Sequence, residues 1–263
     1  SVLPRVNYPS IKSIIFAGEP CNLEVGAYFA KHYNLYNYYG PTEATIYATG
    51  KKANPKNVNE IGKPINNTKL YILNNQLTPV PKGVIGELYI AGAGVARGYL
   101  NQETLTQERF IPNPFASQSD IEKGYNRLYK TGDLVRMLED NNIEYIGRSD
   151  HQVKIRGYRI ELSEIESIIS QYKDIKQTVV LAKEHNNNKY LVAYYTSNTN
   201  NNTPISQEIL REYLSKELPE YMIPSAFIEI ETFKLTINGK LDTKALPDPE
   251  FKGDTYVAPT TEL

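Results

Sequence analysis

Cysteine, tryptophan, methionine and histidine are scarce in this sequence: its 263 residues contain one, none, two and three of them. A single cysteine excludes an internal disulfide and a metal cluster held by cysteines. Cys21 is therefore expected to be a small, partly buried side chain. The histidines, His32, His151 and His185, do not have the spacing of a metal site, and we assign them no chemistry.

Excess charge and long hydrophobic runs are also missing. The formal net charge is −1, so the composition does not favour binding to a nucleic acid. No apolar run approaches the roughly 18 residues that a membrane-spanning helix needs, and the N-terminus has no signal-peptide pattern. The sequence therefore predicts a soluble cytoplasmic protein with neither a membrane nor a nucleic acid as partner.

The first half of the sequence begins with an α/β pattern that gives way to strands. A short apolar run at residues 11–16 precedes a helical pattern at 23–30, and a second apolar run ends at Tyr38. This strand–helix–strand order is typical of an α/β unit. Between residues 69 and 146 the pattern becomes one of strands separated by Pro, Gly and Asn turns.

The pattern restarts after residue 150 as a compact α+β unit. Ser163, with Glu166 three residues later, has the form of a capping box and predicts the start of a helix. Ser206 opens a second helix, and strands are predicted around 178–181 and 190–195. The predicted divisions of the chain are residues 1–149, residues 150–247 and a linker at 248–263.

Seven consecutive residues, 37–43, concentrate groups that suit a nucleotide. They read Asn-Tyr-Tyr-Gly-Pro-Thr-Glu, which joins a flat aromatic ring, a tight Gly-Pro turn, a hydroxyl and a carboxylate. Such groups can stack on a base, bend the backbone around a phosphate and hold a divalent cation. The stretch is therefore the first candidate for a nucleotide site.

Three further motifs each have an ordinary interpretation beside a functional one. The glycines of 92–98 have the wrong spacing for a dinucleotide loop, so a glycine-rich turn after a strand is predicted. Asp133 follows a turn, where its carboxylate can accept hydrogen bonds from a ribose diol or satisfy its own turn. Lys240 follows an Asn-Gly hairpin signal and is either a solvated charge or a mobile cation delivered to an active site.

The order of these segments resembles the adenylation domains of nonribosomal peptide synthetases, which belong to the adenylate-forming superfamily. The segments that carry the resemblance are 18–19, 37–43, 86–88, 96–99, 129–134, 147–166, 218–224 and 238–240. It implies an α/β plus α+β fold, in which the end of a large core domain is followed by a small C-terminal α+β domain. The core part is expected to contain mixed sheets and a small β-barrel-like part.

The resemblance also implies a two-step reaction. An amino-acid carboxylate attacks the α-phosphate of ATP, with Mg²⁺ present, and gives an aminoacyl adenylate and pyrophosphate. The phosphopantetheine thiol of a carrier domain then takes the aminoacyl group as a thioester. Because negative charge builds on the phosphate, fixed cations and hydrogen-bond donors are expected to dominate catalysis.

By motif position, the resemblance assigns twelve residues to ATP. They are Gly18, Glu19, Pro20, Asn37, Tyr39, Gly40, Thr42, Asp133, Tyr145, Arg148, Arg159 and Lys240. Tyr39 is expected to stack on adenine and Asn37 to hydrogen-bond its edge. Asp133 is expected to grip the ribose hydroxyls. Thr42 is expected to touch the α-phosphate, and Glu43 to help hold Mg²⁺.

Further roles concern the cation of the first step, the change between the two steps, and the amino acid. Lys240 is expected to bridge phosphate and substrate carboxylate, which makes it catalytic together with Thr42 and Glu43. Asp150 matches a hinge between two domains, and Gly157 matches a position that lines the pantetheine path. The residues that match the amino-acid pocket are Ile15, Ala17, Tyr38, Ile46 and Tyr47. They carry no formal charge, so a strongly charged substrate side chain is disfavoured.

The resemblance also implies an upstream half that holds the β- and γ-phosphates and the substrate amino group. The 263 residues alone are therefore expected to be inactive. Two other interpretations remain open at this point. The chain could be an inert nucleotide-binding or carrier-docking piece, or it could belong to an acyl-CoA synthetase, which uses free CoA as acceptor.

Overall fold

The computed structural model describes residues 6–150, 152–185, 188–198, 205–237 and 240–249. The chain divides into two compact units, Ser1–Tyr158 and Arg159–Leu263. The predicted boundaries at 149/150 and 247/248 stay predictions. His151, the Asn-Gly hairpin at 238–239 and residues 250–263 of the predicted linker lie outside the described residues.

One sheet of nine strands forms the frame of the first unit. The strands are β1 Ser13–Phe16, β2 Asn34–Tyr39, β3 Thr49–Lys52, β4 Glu60–Pro64, β5 Thr68–Leu73, β6 Ile85–Gly92, β7 Phe110–Pro112, β8 Arg127–Met137 and β9 Ile143–Arg148. Their order is β1-β2-β3-β4-β9-β8-β6-β5, with β7 paired to β8. The β1–β2 pair is parallel and the others are antiparallel. The expected mixed sheet is thus confirmed, and within the described residues it stays open rather than closing into a barrel.

Three helices accompany this sheet: α1 Leu23–His32, α2 Glu103–Arg109 and α3 Gln118–Glu122. The side chain of Asn22 caps α1 by accepting a hydrogen bond from the Val25 amide at 3.2 Å, which satisfies a donor that the first turn leaves unpaired. On its buried face α1 places Phe29 against Leu35 and Val58. The predicted strand–helix–strand start of the chain is therefore confirmed.

Strand β8 runs through the turn that the sequence pattern predicts before Asp133. Residues 127–130 of this strand pair with β6 and β7, on the N-terminal side of Asp133. Gly132 has φ +75°, a conformation that glycine adopts without a steric penalty, and the registers on both sides of β8 shift near it. Asp133 consequently lies inside a long strand, opposite Arg148 of β9.

The chain passes into the second unit through β10 Gln152–Ile155 and β11 Tyr158–Glu161, which form a two-stranded sheet. The turn between them, Arg156–Gly157, has positive φ at both residues, as a tight two-residue hairpin requires. The second unit then contains α4 Leu162–Ser170, β12 Ile175–His185, β13 Asn188–Ser197, α5 Gln207–Ser215 and β14 Ala226–Glu229. Strand β13 pairs antiparallel with β12 and parallel with β14, which confirms the α+β prediction.

The two predicted helix starts of this unit have different outcomes. Ser206 caps α5, since its Oγ accepts a hydrogen bond from the Glu208 amide at 3.3 Å. The capping box predicted at Ser163 is wrong, because α4 begins at Leu162 and Ser163 already lies inside it. Glu166 instead accepts a hydrogen bond from the Val180 amide at 2.8 Å, so it ties α4 to β12.

None of the helices formed by the described residues combines the length and the hydrophobicity that crossing a bilayer demands.

Candidate nucleotide site

A cavity of about 180 Å³ opens in the first unit, between the end of β1, the end of β2 and β9. Its lining residues are Gly18, Glu19, Pro20, Cys21, Asn37, Tyr38, Tyr39, Gly40, Asn59, Ile61, Tyr145, Ile146 and Lys154. Pockets that enclose a whole drug-sized ligand measure roughly 300–1,000 Å³. The cavity is therefore of a size to hold part of a nucleotide, such as its base.

Asn37 presents a specific acceptor to this cavity. Its side-chain NH₂ donates to the carbonyls of Val58 at 3.1 Å and Glu60 at 2.9 Å. Both donors of the amide are then used within the described structure, which fixes its orientation and leaves Oδ1 as the polar atom suited to a ligand. A carbonyl oxygen accepts hydrogen bonds, so it fits the amino group of adenine.

Tyr39 belongs to the core and to the cavity wall at once. Its side chain is 6% exposed and packs in a cluster with Leu88, Ile90 and Val135. Its hydroxyl donates a hydrogen bond to Oδ2 of Asp133. Burial, followed by the neighbouring Asp133 charge, raises the pKa of the Tyr39 phenol well above its ordinary value. The phenol therefore stays protonated and acts as a donor.

Asp133 is buried beside the wall, with 2% of its side chain exposed. Its second oxygen, Oδ1, accepts a hydrogen bond from Nη1 of Arg148 at 2.8 Å. Its backbone amide donates to Thr131 Oγ1 at 3.0 Å. Burial also raises the pKa of the nearby Tyr145 phenol, and the Asp133 charge adds to that shift. The predicted ribose residue is thus held between two tyrosines and an arginine.

Arg148 links this carboxylate to a second one. Its Nε and Nη2 donate to the two carboxylate oxygens of Asp150 at 2.6 and 2.7 Å, a bidentate geometry that is strong among ion pairs. An added Cβ on Gly132 would lie 2.6 Å from Arg148 Nη2, so a glycine is required beside the guanidinium. Arg109 lies 3.9 Å from Asp150 at the outer end of the network.

The charges of this network shift the pKa values of its members. Burial acts to lower the pKa of Arg148, and the hydrogen bonds and charges of Asp150 and Asp133 outweigh it, so that pKa lies above its ordinary value. Burial acts to raise the pKa of Asp150. The hydrogen bonds from Arg148 outweigh this effect, so the pKa of Asp150 lies below its ordinary value. Arg148 and Asp150 therefore stabilise each other in their charged forms.

The loop after β2 holds a strained backbone. A single 3₁₀ turn, Thr42–Ala44, is followed by Thr45 with φ 55° and Ile46 with φ 73°. Positive φ is unfavourable for β-branched residues, and such strain is typical of functional sites. The loop closes tightly on Gly40, where an added Cβ would lie 2.4 Å from the Ile46 carbonyl oxygen.

The donors of this loop fit a magnesium ion that arrives with a nucleotide. Thr42 is exposed, and Glu43 is half-buried with Oε1 accepting a hydrogen bond from the Tyr99 hydroxyl at 2.6 Å. No group of three His, Cys, Asp or Glu among the described residues is placed to hold a metal ion by itself. Mg²⁺ commonly takes one or two carboxylates and completes its shell with phosphates and waters, so the Glu43 carboxylate suits it.

The five residues predicted for an amino-acid pocket are divided between β1 and the segment after it, β2, and the loop that follows β2. Tyr38 and Tyr47 bring their rings to 4.9 Å between centroids. Ile15 and Ile46 are 58% and 67% exposed, and Ala17 is exposed as well. Of these five, Tyr38 also lines the cavity. Ile15, Ala17 and Ile46 therefore leave apolar side chains exposed to solvent in this structure.

Arg159, Lys240 and Gly157 are not among the residues that line the cavity. Arg159 and Lys240 belong to the second unit, and Lys240 is exposed, with its amide donating to Thr236 Oγ1 at 3.3 Å. Gly157 has φ +80°, and an added Cβ there would meet no heavy atom within 4 Å. Their roles remain predictions.

Sequence reasoning missed Lys154. It lines the cavity, and its ammonium lies 5.5 Å from the centroid of the Tyr39 ring, a distance at which a cation is attracted to the ring face. In the sequence Lys154 alternates with apolar residues of a short strand and is typical of a solvated face. Cys21 is half-buried, as the sequence predicts, and it also lines the same cavity.

Two family models match the chain in order along it. The AMP-binding enzyme model matches residues 4–100, and the AMP-binding enzyme C-terminal domain model matches residues 164–240.

Among curated proteins, tyrocidine synthase 2 of Brevibacillus parabrevis is 44% identical over 262 residues, covering 97% of this chain and 7% of that protein. Bacitracin synthase 3 of Bacillus licheniformis is 46% identical over 250 residues, covering 92% of this chain and 4% of that protein. The chain thus spans a small part of the relatives it matches.

Among solved structures, holo-PA1221, a nonribosomal peptide synthetase protein containing adenylation and PCP domains, superposes with a TM-score of 0.77 at 28% identity. The match covers 90% of this chain and 40% of that chain. Because the two models match residues 4–100 and 164–240 in order, and the relatives and this structure match 90% or more of the chain, the chain belongs to the AMP-binding enzymes and, within them, to the adenylation domains of nonribosomal peptide synthetases.

Proposed function

We propose that this chain supplies the nucleotide-binding part of an amino-acid-activating ligase. The proposed reaction joins an amino-acid carboxylate to the α-phosphate of ATP and releases pyrophosphate. The phosphopantetheine thiol of a carrier domain then takes the aminoacyl group as a thioester, and AMP leaves. The family match and the PCP domain of holo-PA1221 support this proposal. The proposed location is the cytoplasm.

The observation that carries the proposal is the cavity between Asn37, Tyr39 and Tyr145, with Asp133 buried next to it. We assign the base to this cavity, where the Asn37 oxygen accepts from its amino group and the Tyr39 ring lies against it. The ribose diol is assigned to the Asp133 carboxylate, because an ionised carboxylate accepts two hydroxyl donors. Arg148 Nη1 donates a hydrogen bond to that carboxylate at 2.8 Å and holds it in place.

The phosphate end is assigned to the strained loop. Thr42 donates its hydroxyl to the α-phosphate, and Glu43 supplies a carboxylate ligand for the Mg²⁺ that accompanies ATP. When bound, that ion neutralises charge on the phosphate oxygens. Gly40 allows the backbone to turn closely at this point, since a side chain there would strike the loop.

Further roles concern residues of the second unit and the crossing segment. We assign Lys240 to the first half-reaction as a cation for phosphate and carboxylate, and Arg159 to a phosphate contact. Asp150 is proposed as a hinge, and Gly157 as a position that must stay small for the pantetheine thiol. The β- and γ-phosphates and the substrate amino group are assigned to an upstream half of the domain, outside these 263 residues.

The substrate side chain is proposed to be uncharged. Ile15, Ala17 and Ile46 offer an apolar surface, and Tyr38 and Tyr47 add phenols without formal charge. Burying an unpaired charge against such a surface is costly. Strongly acidic or basic amino acids are therefore expected to be poor substrates.

The test is amino-acid-dependent exchange of label between pyrophosphate and ATP, measured on a complete adenylation domain that contains this chain. We expect exchange with one or a few uncharged amino acids, and none with the isolated 263 residues. Exchange driven by carboxylic acids without an amino group, with free CoA as acceptor, would assign the chain to an acyl-CoA synthetase instead. Absence of exchange with every amino acid would refute the proposal.

A further inference from the structure

The segment 92–99, which follows β6, packs against the loop that carries Glu43. The Ala96 amide donates to the Glu43 carbonyl at 2.8 Å, and Thr45 Oγ1 donates to the Gly94 carbonyl at 2.7 Å. An added Cβ on Gly94 would lie 2.8 Å from the Ala44 carbonyl oxygen. The glycine-rich turn therefore contacts three successive residues of the strained loop, Glu43 and Ala44 through their backbone and Thr45 through its side chain.

The same segment is anchored to the sheet from its other side. The guanidinium of Arg127, the first residue of β8, donates to the carbonyls of Ala96 at 2.9 Å and Arg97 at 2.6 Å. These are charge-assisted hydrogen bonds, which are stronger than neutral ones. The segment consequently connects a rigid strand to a loop whose own conformation is unfavourable.

Tyr99 is the last residue of the segment, and contacts of its backbone, of its ring and of the preceding Gly98 fix its position. Its amide donates to Thr106 Oγ1 at 2.9 Å, and its ring meets the edge of Phe110 at 5.4 Å between centroids. Gly98 before it has φ +146° and lies so close to Thr106 that an added Cβ would be 2.3 Å from Cγ2. The Tyr99 phenol therefore has a defined position before it meets any partner.

That phenol donates to Oε1 of Glu43 at 2.6 Å, joining residues 56 positions apart. The hydroxyl is the donor of this hydrogen bond and the carboxylate is its acceptor. One oxygen of Glu43 is held by a rigid partner, so the direction of the other oxygen is also restricted.

We propose that Tyr99 is a positioning residue, which orients the Glu43 carboxylate toward the divalent cation of the nucleotide. This inference rests on the proposed function, in which Glu43 is a cation ligand. Partners of metal ligands typically contribute 10- to 100-fold to metal affinity. The glycine-rich turn in addition fixes the backbone of Glu43, through the hydrogen bond from the Ala96 amide to the Glu43 carbonyl.

The experiment uses a complete adenylation domain containing these residues, with Mn²⁺ as the probe and the non-reacting analogue α,β-methylene-ATP present. Free Mn²⁺ is measured by electron paramagnetic resonance. We expect Tyr99→Phe to raise the dissociation constant of Mn²⁺ about tenfold. Half-saturation by Mg²⁺ in pyrophosphate exchange should rise in parallel, while kcat at saturating Mg²⁺ and the KM of the amino acid change little.

The matched control is Tyr89→Phe. Tyr89 also donates its hydroxyl to a glutamate, Glu87, at 3.3 Å in the same unit, and it has no place in the proposed site. Its Mn²⁺ affinity should equal that of the wild type. An equal loss of affinity in both variants would show a general effect of removing a phenol and would overturn the inference.

A double-mutant cycle separates positioning from structure. In a Glu43→Gln background, Tyr99→Phe should cause no further loss of Mn²⁺ affinity, because the group through which it acts is gone. If Tyr99→Phe proves unfolded by circular dichroism, Thr106→Val replaces it in the cycle, since it loosens the Tyr99 backbone and keeps the phenol.

The outcomes show whether a failure concerns this inference alone or the proposed function on which it rests. If Glu43→Gln leaves Mn²⁺ affinity unchanged, the assigned role of Glu43 is wrong and the inference fails with it. If Glu43→Gln weakens binding and Tyr99→Phe does not, the proposed function survives and the inference alone is refuted. Additive losses in the double variant would also refute it.

Discussion

The hydroxyl of Tyr39 donates a hydrogen bond to the carboxylate of Asp133, and the two residues are 94 positions apart in the sequence. The first residue ends β2, and the second lies within β8 beside a glycine of positive φ. One residue is assigned to the base of ATP and the other to its ribose. The bond therefore connects two parts of the proposed nucleotide site directly.

Removing this bond should weaken recognition of the ribose. Tyr39→Phe keeps the ring and loses the hydroxyl, so the Asp133 carboxylate loses one of the groups that orient it. Hydrogen bonds to charged groups contribute about 1.5–3 kcal/mol. We expect the KM for ATP to rise roughly tenfold and the preference for ATP over 3′-deoxy-ATP to shrink, both measured by pyrophosphate exchange.

The control for that variant is Tyr36→Phe, on the same strand and outside the proposed site. It should leave both quantities unchanged. Tighter binding of ATP by Tyr39→Phe would contradict the prediction, since it would mean that the hydroxyl competes with the ribose for Asp133.

The ion pair between Arg148 and Asp150 predicts an acid-dependent stability. Because the pKa of Asp150 is lowered in the folded protein, the carboxylate stabilises the fold above its ordinary pKa of about 4. That contribution is lost as the pH falls through the lower, folded-state value. Asp150→Asn should reduce the free energy of unfolding at pH 7 and flatten its decline below about pH 4. Urea titrations between pH 7 and pH 2 measure both effects.

Asp120 provides the comparison for this prediction. Its pKa is also lowered, first by the hydrogen bond from Lys69, so some acid dependence should remain in Asp150→Asn. In the double variant Asp120→Asn/Asp150→Asn, the free energy of unfolding should depend on acid pH still less. Identical pH profiles for wild type and Asp150→Asn would contradict the assignment of a charged Asp150.

Local sequence patterns predicted the parts of this site that depend on consecutive residues. The β1–α1–β2 start and the nucleotide stretch that ends at Glu43 follow from apolar periodicity, turn residues and residue chemistry. The surroundings of Asp133 did not follow, because they depend on the pairing of β8 with β9 and on the register shift next to Gly132. The ordinary interpretation, an aspartate satisfying its own turn, fails for the same reason.

Contacts between distant segments account for the other differences. Glu166 matched a local capping pattern, yet tertiary pairing with the Val180 amide determines its partner. Lys154 resembled a solvated strand residue, and only the folded sheet places it over Tyr39. The bond from Tyr99 to Glu43 has no local signal at all, since neither residue type nor spacing indicates it.

The tight loop after β2 predicts a strong dependence on Gly40. In Gly40→Ala the new Cβ would lie 2.4 Å from the Ile46 carbonyl oxygen and 2.7 Å from the Tyr47 Cα. The strained loop therefore has to move. Overpacking of this kind costs about 1–3 kcal/mol. We expect a lower thermal midpoint and weaker ATP binding, measured by scanning calorimetry and by titration with ATP.

Gly147→Ala is the matched control for Gly40→Ala. An added Cβ at Gly147 meets no heavy atom within 4 Å, and its φ is not in the left-handed region. Its thermal midpoint should stay the same or rise slightly, since alanine restricts the unfolded chain. Equal destabilisation of the two variants would argue against a special constraint at Gly40.

Lys240 should separate the two half-reactions. If it acts as a cation for phosphate and carboxylate, Lys240→Ala should abolish adenylate formation, because removing a cation from a charge-developing transition state is costly. Transfer to the carrier thiol from preformed aminoacyl adenylate should continue. Pyrophosphate exchange measures the first step and thioester formation the second, and an equal loss of both would contradict the assigned role.

Cys21 offers a direct probe of the cavity, because it is the one cysteine of the sequence and lines the cavity wall. Its thiol packs against α1 so closely that an added Cβ on Gly26 would lie 2.8 Å from Sγ. Burial raises the pKa of the thiol, so less thiolate is present at pH 7 than in an ordinary cysteine. Iodoacetamide should therefore react more slowly with Cys21 than with glutathione at pH 7, and faster as the pH rises above about 9.

Binding of AMP should slow this alkylation further if the cavity is the base site. Asp133→Asn keeps the shape of the side chain and removes the charge assigned to the ribose, so, where circular dichroism shows the variant folded, protection by AMP should require a higher concentration. Mass spectrometry of the modified chain over time measures both rates. Alkylation at the rate of an exposed thiol, unaffected by saturating AMP in the wild type, would place the nucleotide elsewhere.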